Sequence, residues 1–278
     1  MERIPFGVSR LDAMIGGGAP RGSVVLLASD LGAGGREFLY TSAAINGLAQ
    51  EDEDLFDLYY GGLKEEATAP EDIHYISLTA DERELVSEMG VTMDSELVEA
   101  GVRPVTFADF SPEYFNTSKV PKEWYAHRTE SIRTLGKSRD RGNVLDAVGD
   151  YLTANGAGNL VLFDSVTDLV SATGDELDWT DITLLIKGLK KASHRWGGLV
   201  LLLANRETMT ETELGMLMEA TDGTLVFEWE TGGSERDRTM VVQQFRGVLS
   251  RLEDEDIIRF ETDIHDGGFD ISNVRKIR

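Results

Sequence analysis

Apolar positions along this chain fall into two patterns, short continuous runs and longer stretches with helical spacing. The continuous runs at 24–27, 73–78, 105–107, 159–164 and 199–204 read as buried strands. Helical spacing covers 38–49, 82–88, 95–100, 144–153, 179–196 and 211–220, and a short helix is expected just after 164. Near the start, Val8, Leu11, Met14 and Ile15 make a brief helical pattern that glycines 16–18 end; Pro20-Arg21-Gly22 then turns the chain into the first strand. After Asp222-Gly223 the pattern changes to strands only, at 224–230, 239–245, 257–263 and 269–274. Glycine turns at Gly232-Gly233 and Gly267-Gly268 join some of them. Strands alternating with helices, and apolar on both faces, predict a mostly parallel α/β sheet covered on both sides. The last strands extend it as an antiparallel tail. With no internal repeat and no low-complexity linker, the expectation is one domain over 1–278. Two excursions interrupt it, an acidic, turn-rich and solvated one at 51–72 and a second at 109–142.

Composition narrows the chemistry. The chain has no cysteine, which excludes disulfides and thiolate metal sites. His74, His127, His194 and His265 are scattered, none at metal-ligand spacing, so no metal site is expected. No secretory signal and no apolar run near 18 residues is present, so a soluble cytoplasmic protein is expected. The 50 Asp and Glu against 27 Lys and Arg leave a net charge of −23. An acidic, lysine-poor surface suits high salt, where screening shortens from roughly 10 Å to about 3 Å. It also argues against nucleic-acid binding through a whole-protein positive field.

From Ser23 to Phe38 the chain reads SVVLLASDLGAGGREF. Strand, glycine turn (Gly32, Gly34, Gly35) and helix start are the layout of a phosphate-binding loop, whose backbone N–H groups point at phosphate. The working pattern is G-x-x-x-x-G-K-[ST]. With Gly34 as its last glycine, Ser29 holds the first glycine position, Gly35 the lysine position and Arg36 the hydroxyl position. The cation that pairs the β- and γ-phosphates is missing, and so is the hydroxyl that ligates magnesium. Losing one cation about 4 Å from a phosphate forfeits at most about 4 kcal/mol, up to roughly a thousandfold in affinity. Arg36 offers a substitute cation in the first helical turn, while Glu37 beside it repels phosphate. ATP binding through Ser29, Gly32, Gly34, Gly35, Arg36 and Asp164 is therefore expected to be weak, and efficient hydrolysis is not expected. Asp164 ends an apolar strand and reads two ways. It holds Mg²⁺ through water, or it is a strand-end or helix-capping carboxylate. A glycine loop earlier in the chain, in the right order, favours the first.

Several ordered landmarks resemble those of KaiC-like proteins, which are RecA-superfamily ATPases. They are Pro5-Phe6-Gly7-Val8-Ser9-Arg10-Leu11-Asp12, Gly16-Gly17-Gly18-Ala19-Pro20-Arg21-Gly22-Ser23, the altered loop, Leu162-Phe163-Asp164-Ser165 and Gln244-Phe245-Arg246-Gly247. The resemblance covers nearly the whole chain. Gly-Arg-Glu-Phe-Leu-Tyr after the loop, Ser111-Pro112-Glu113-Tyr114-Phe115 and the ending Asp270-Ile271-Ser272-Asn273-Val274-Arg275-Lys276-Ile277-Arg278 are similar to a haloarchaeal KaiC-like group labelled "HTR-like". That label implies signal transduction. The resemblance also implies paired glutamates after the second strand, to activate water. Here Thr79-Ala80 stand first, and Asp81 and Glu82 come one to three positions late. Asp81 then reads as a helix N-terminal acid rather than a base. The implied basic pair across a subunit interface survives only as Arg246, with Gln244 in place of lysine. Arg246 would reach a neighbour's nucleotide or pair with a surface acid such as Asp30 or Glu37. No catalytic residue is assigned beyond this vestigial set of Asp164, Asp81 and Arg246.

The 109–142 excursion contains several aromatics, and between Glu113 and Gly142 it sets Lys119, Lys122, Arg128, Arg133, Lys137, Arg139 and Arg141 against Glu113, Glu123, Glu130 and Asp140. A net positive segment on so acidic a chain is expected to fold onto its own or a neighbouring subunit. Single-stranded nucleic acid is the other reading, as for a recombinase-paralogue mediator. Trp124, Tyr125 and Arg246 are the expected interface anchors of a homo- or hetero-oligomer. The expectation is a regulatory or scaffolding protein acting by protein–protein contact. A slow ATPase using Arg36, Asp164, Asp81 and Arg246 is the enzyme alternative.

Overall fold

The computed structural model describes residues 2–116, 118–125, 144–173, 178–232, 235–249, 252 and 257–276. Its strands are β1 (Arg3–Ile4), β2 (Ala19–Pro20), β3 (Ser23–Ser29), β4 (Ile73–Ser77), β5 (Val105–Asp109), β6 (Leu160–Asp164), β7 (Leu199–Asn205), β8 (Gly223–Gly232), β9 (Glu235–Phe245), β10 (Ile257–His265) and β11 (Gly268–Lys276). Its α-helices are α1 (Ser9–Ile15), α2 (Gly35–Glu51), α3 (Glu53–Tyr59), α4 (Glu82–Thr92), α5 (Ser95–Gly101), α6 (Ser111–Phe115), α7 (Val144–Asn155), α8 (Val166–Thr173), α9 (Trp179–Trp196) and α10 (Glu211–Ala220).

β3 to β11 form one nine-stranded sheet in the order β11-β10-β9-β8-β3-β7-β6-β4-β5. The pairings among β8, β3, β7, β6, β4 and β5 are parallel, and β9, β10 and β11 continue from β8 antiparallel. This is the mostly parallel α/β sheet with an antiparallel tail that the hydrophobic pattern predicts. Strand alternation explains the two cores. In β3, Val25 and Leu27 face a cluster that holds Phe38, Tyr75, Phe227 and Phe269. Val24, Leu26 and Ala28 face the other, with Ile182 and Ile186 of α9 and Leu217 of α10. A strand buried on both faces has no polar side to show, so its run is continuous.

Register brings the polar strand ends to one edge of the sheet. Ser29 pairs with Asn205 and with Phe227, while Ser77 pairs with Asp164 and with Asp109. Ligand sites of open parallel sheets form outside such carboxyl ends.

The 51–72 excursion differs from its expectation. It contains α3, capped by Asp52, whose side chain accepts from Leu55 N–H at 3.0 Å. Glu53, Asp54 and Asp57 are exposed, but Phe56 and Tyr60 are buried and stacked, with ring centroids 4.9 Å apart. Acids on the outer face masked two apolar anchors spaced i,i+4. Tyr60 donates to the buried Asp12 at 3.1 Å, and Asp12 also accepts from Phe6 and Gly7 N–H, each at 3.0 Å. Burial pushes the Asp12 carboxyl up to about 7 against these three donors. The landmark around Pro5–Asp12 thus has a structural reason. One carboxyl gathers the turn at Gly7, whose φ is +84°.

Candidate functional site

The glycine loop joins β3 to α2 at the carboxyl edge. α2 begins at Gly35, earlier than its hydrophobic spacing indicates, and Gly34 caps it with φ +108° and no side-chain cap. Only a glycine adopts that conformation cheaply. Asp30 N–H donates to Phe227 O at 2.9 Å and Ala33 N–H to Asp30 O at 3.1 Å. From outside, Trp229 Nε1 donates to Leu31 O at 2.9 Å and Arg238 Nε to Gly32 O at 3.0 Å. Arg238 also lies over the Trp229 ring, 4.7 Å from its centroid. Leu31 and Gly32 are exposed, while Ala33, Gly34 and Gly35 are buried.

The lysine position is closed. A Cβ on Gly35 would lie 2.6 Å from Ser29 Cβ and 2.8 Å from Ser29 Oγ. The side chain at the first glycine position thus occupies the space from which a lysine stem would start.

Arg36 turns toward Asp164. Its Nε lies 3.0 Å from Oδ2 and its Nη2 donates to Oδ1 at 3.0 Å, a bidentate pair. Tyr75 adds a hydroxyl donor to Oδ2 at 3.0 Å. Asp164 is 4 % exposed. Burial pushes its carboxyl above the ordinary carboxylate range, opposed by Arg36 and Tyr75. Burial works against the charge on Arg36, and Asp164 outweighs it, so the guanidinium is held above its ordinary value. Tyr40, one helical turn past Arg36, donates to Glu88 of α4. Burial and that bond hold its hydroxyl protonated. Tyr75, Tyr40 and Glu88 carried no sequence signal. Tyr75 and Asp164 meet because β4 lies beside β6, which no local pattern states.

The remaining expected residues lie apart. Asp81 is the N-cap of α4 in a reciprocal capping box: its side chain accepts from Glu84 N–H at 2.9 Å, and Glu84 accepts from Asp81 N–H at 3.0 Å. It is the helix N-terminal acid of the sequence reading. Arg246 is exposed at the opposite end of the sheet, where its N–H donates to Asp222 O at 3.2 Å. Within one chain, Arg246 and Arg36 are therefore not brought together. Gln244 turns inward to donate to Met218 O at the end of α10. Asp30 is engaged by Arg206 of its own chain at 3.5 Å. Trp124 is 79 % exposed, whereas Tyr125 is half-buried with its ring 5.4 Å from that of Phe115. The two aromatic anchors thus have different surroundings. Arg128, Arg133, Lys137, Arg139 and Arg141, with Glu130 and Asp140, lie outside the described residues.

Among the described residues no group of three or more His, Asp or Glu is arranged to hold a metal ion, and no helix is long and apolar enough to cross a membrane. A groove of about 400 Å³ lies away from the loop, between α1 and β11, lined by Arg10, Met14, Ile271 and Val274. A smaller one of about 150 Å³ lies beside the loop, lined by Asp30, Arg206, Met209 and Thr210. Neither lies over Arg36 and Asp164.

A strand–glycine turn–helix unit at the carboxyl edge of a mostly parallel sheet, with an acid ending the strand two places away across β7, is the layout of a RecA-like fold. The crystal structure of the KaiC-like protein PH0186, from the hyperthermophilic archaeon Pyrococcus horikoshii OT3, is similar to this chain with a TM-score of 0.59 and 18 % sequence identity. The similarity covers 98 % of this chain and 99 % of that one, so the likeness in fold extends over nearly all of it. No protein-family model and no curated protein sequence matches the chain.

Proposed function

We propose that this chain is a KaiC-like protein with a degenerate nucleotide site, and that it works as a cytoplasmic regulatory or scaffolding component of archaeal signal transduction through protein–protein contacts. The observation that carries this reading is the closed lysine position. Ser29 Cβ lies 2.6 Å from where a side chain at Gly35 would begin. The loop has therefore not merely lost a cation; it has repacked around the loss. The residues present do not fit a magnesium–nucleotide pair. Gly35 supplies no charge, and the Asp164 carboxylate is taken up by Arg36 and Tyr75. Asp81, spent on capping α4, supports the absence of a base at that position. An acidic, lysine-poor surface supports a haloarchaeal setting.

What such a domain retains is surface. Trp124 is the exposed anchor, and Arg246 is an exposed cation with no ion pair to another described residue. Arg246 at the far end of the sheet is compatible with contact to a neighbouring chain. Weak ATP binding is the second reading, and the absence of any side-chain cap on α2 favours it, because the first amides of that helix have no capping oxygen.

The test joins two measurements in molar salt. Calorimetric titration with ATP, with and without Mg²⁺, is expected to show weak binding at most, and phosphate release is expected to be negligible. Light scattering is expected to show an oligomer, alone or with a partner from cell extract. Trp124→Ala and Arg246→Ala are expected to weaken it, a buried anchor by about 2 kcal/mol or more. Magnesium-dependent turnover abolished by Asp164→Asn would overturn the reading. So would three identical monomers recovering the same proteins.

A further inference from the structure

We infer that Arg36 is a built-in replacement for the divalent cation of this fold's nucleotide site, so that its guanidinium ties the loop helix to the sheet with no ligand bound. The inference rests on the degenerate site proposed above. In a working loop, the hydroxyl at this helix position and the acid ending a second strand of the sheet converge on one Mg²⁺. Here the same two positions meet directly. The guanidinium covers both carboxylate oxygens at 3.0 Å, and Tyr75 takes a further lone pair of Oδ2. Charge balance gives the consequence. A divalent cation on one carboxylate keeps a surplus positive charge, which phosphates complete. A guanidinium on one carboxylate is already neutral, so the pair needs no phosphate to be complete. Asp164 is 4 % exposed, and a carboxylate so buried cannot stand without its cation. The link between α2 and β6 therefore needs no ligand, where a ligand-borne link would come and go with nucleotide.

The test uses thermal melting of the full chain in molar KCl, in EDTA against MgCl₂ or MnCl₂, with Mn²⁺ binding read by water-proton relaxation. Wild type is expected to melt at one temperature in all three and to hold no Mn²⁺ through Asp164. Arg36→Ser uncovers the carboxylate and supplies the hydroxyl. In EDTA it is expected to melt about 10 °C lower. Mg²⁺ or Mn²⁺ should recover most of that loss, and Mn²⁺ should bind. The double variant Arg36→Ser/Asp164→Asn is expected to ignore both cations. The inference is overturned if Arg36→Ser melts like wild type in EDTA, or if it melts lower and gains nothing from either cation. It is also overturned if wild type gains as much as the variant. Should Arg36→Ser not fold in EDTA, wild type against Asp164→Asn decides, because Mn²⁺ held by the first and lost in the second overturns the inference. ATP turnover by wild type that persists in EDTA would instead overturn the proposed function and leave the role of Arg36 standing.

Discussion

A methyl group on Gly35 would meet Ser29 Cβ at 2.6 Å and Leu203 Cδ1 at 3.1 Å. Ser29 Cβ is bonded directly to the β3 backbone, so that clash cannot be relieved by a rotamer change. Reinstating the loop lysine by Gly35→Lys alone is therefore expected to lower stability by about 1–3 kcal/mol, the range for overpacking a closed site. Adding Ser29→Gly removes the obstruction and should return most of the loss. Urea denaturation of the single and double variants measures this as a shift in midpoint. A single variant as stable as wild type would mean that Ser29 yields and the lysine position is open. That Gly35 and Arg36 follow the last loop glycine, and that Asp81 comes after Thr79-Ala80, was legible in the sequence, because each is an identity at a fixed spacing. The filling of the gap by Ser29 was not, because it depends on how closely β3 and α2 approach.

At the scale of elements, α2 carries Arg36, and its position is set by a contact with α5. A Cβ on Gly47 would lie 1.8 Å from Gly101 O, and one on Gly101 would lie 2.5 Å from Ala44 O. These neighbours are backbone atoms, so the two helices pack at a distance only glycines permit. Gly47→Ala is expected to cost about 3 kcal/mol. Gly188 is the matched control. It lies inside α9 with nothing within 4 Å of a Cβ, so Gly188→Ala should stabilise by up to about 1 kcal/mol. Chemical denaturation of both variants checks the pair, and equal effects of the same sign would refute the packing argument. Hydrophobic periodicity located α9 and α10 to the residue, since both are long or well-capped amphipathic helices. It read 51–72 as solvated because the charged face of α3 outnumbers the buried Phe56 and Tyr60.

The whole molecule must hold a net charge of −23 together. Part of that repulsion is offset by a ladder of alternating charges that starts at the loop. Asp30 meets Arg206 at 3.5 Å, Arg206 meets Glu228 at 3.3 Å, and Glu228 meets Arg259 at 2.8 Å. Arg259 then meets Glu230 at 3.3 Å, Glu230 meets Arg275 at 2.7 Å, and Arg275 meets Glu261 at 2.7 Å. These contacts are short and partly buried, so added salt screens them little, whereas it screens the long-range repulsion strongly. The melting temperature is therefore expected to fall on dilution from molar KCl to about 0.1 M, as the screening length grows from about 3 Å to about 10 Å. A melting temperature independent of KCl would show that the acidic surface sets no salt requirement.

By itself the sequence determined the kind and order of the main sheet strands and of the longer helices (but not α3 or the short β1, β2 and α6), the two-faced burial of the parallel strands, and which residue types stand in the glycine loop. These are properties of spacing and of side-chain identity, written within a few residues of one another. Only the tertiary structure decided which side chains meet at the strand ends. Arg36 and Asp164 are 128 residues apart and meet because α2, leaving β3, packs across β7 and β6. Arg246 falls at the far end of the sheet because β9 runs antiparallel to β8. Neither relation has a local signature. A side chain's partner across the fold depends on which strands are neighbours, and strand adjacency is settled by how the crossover helices pack, not by the residues at either end.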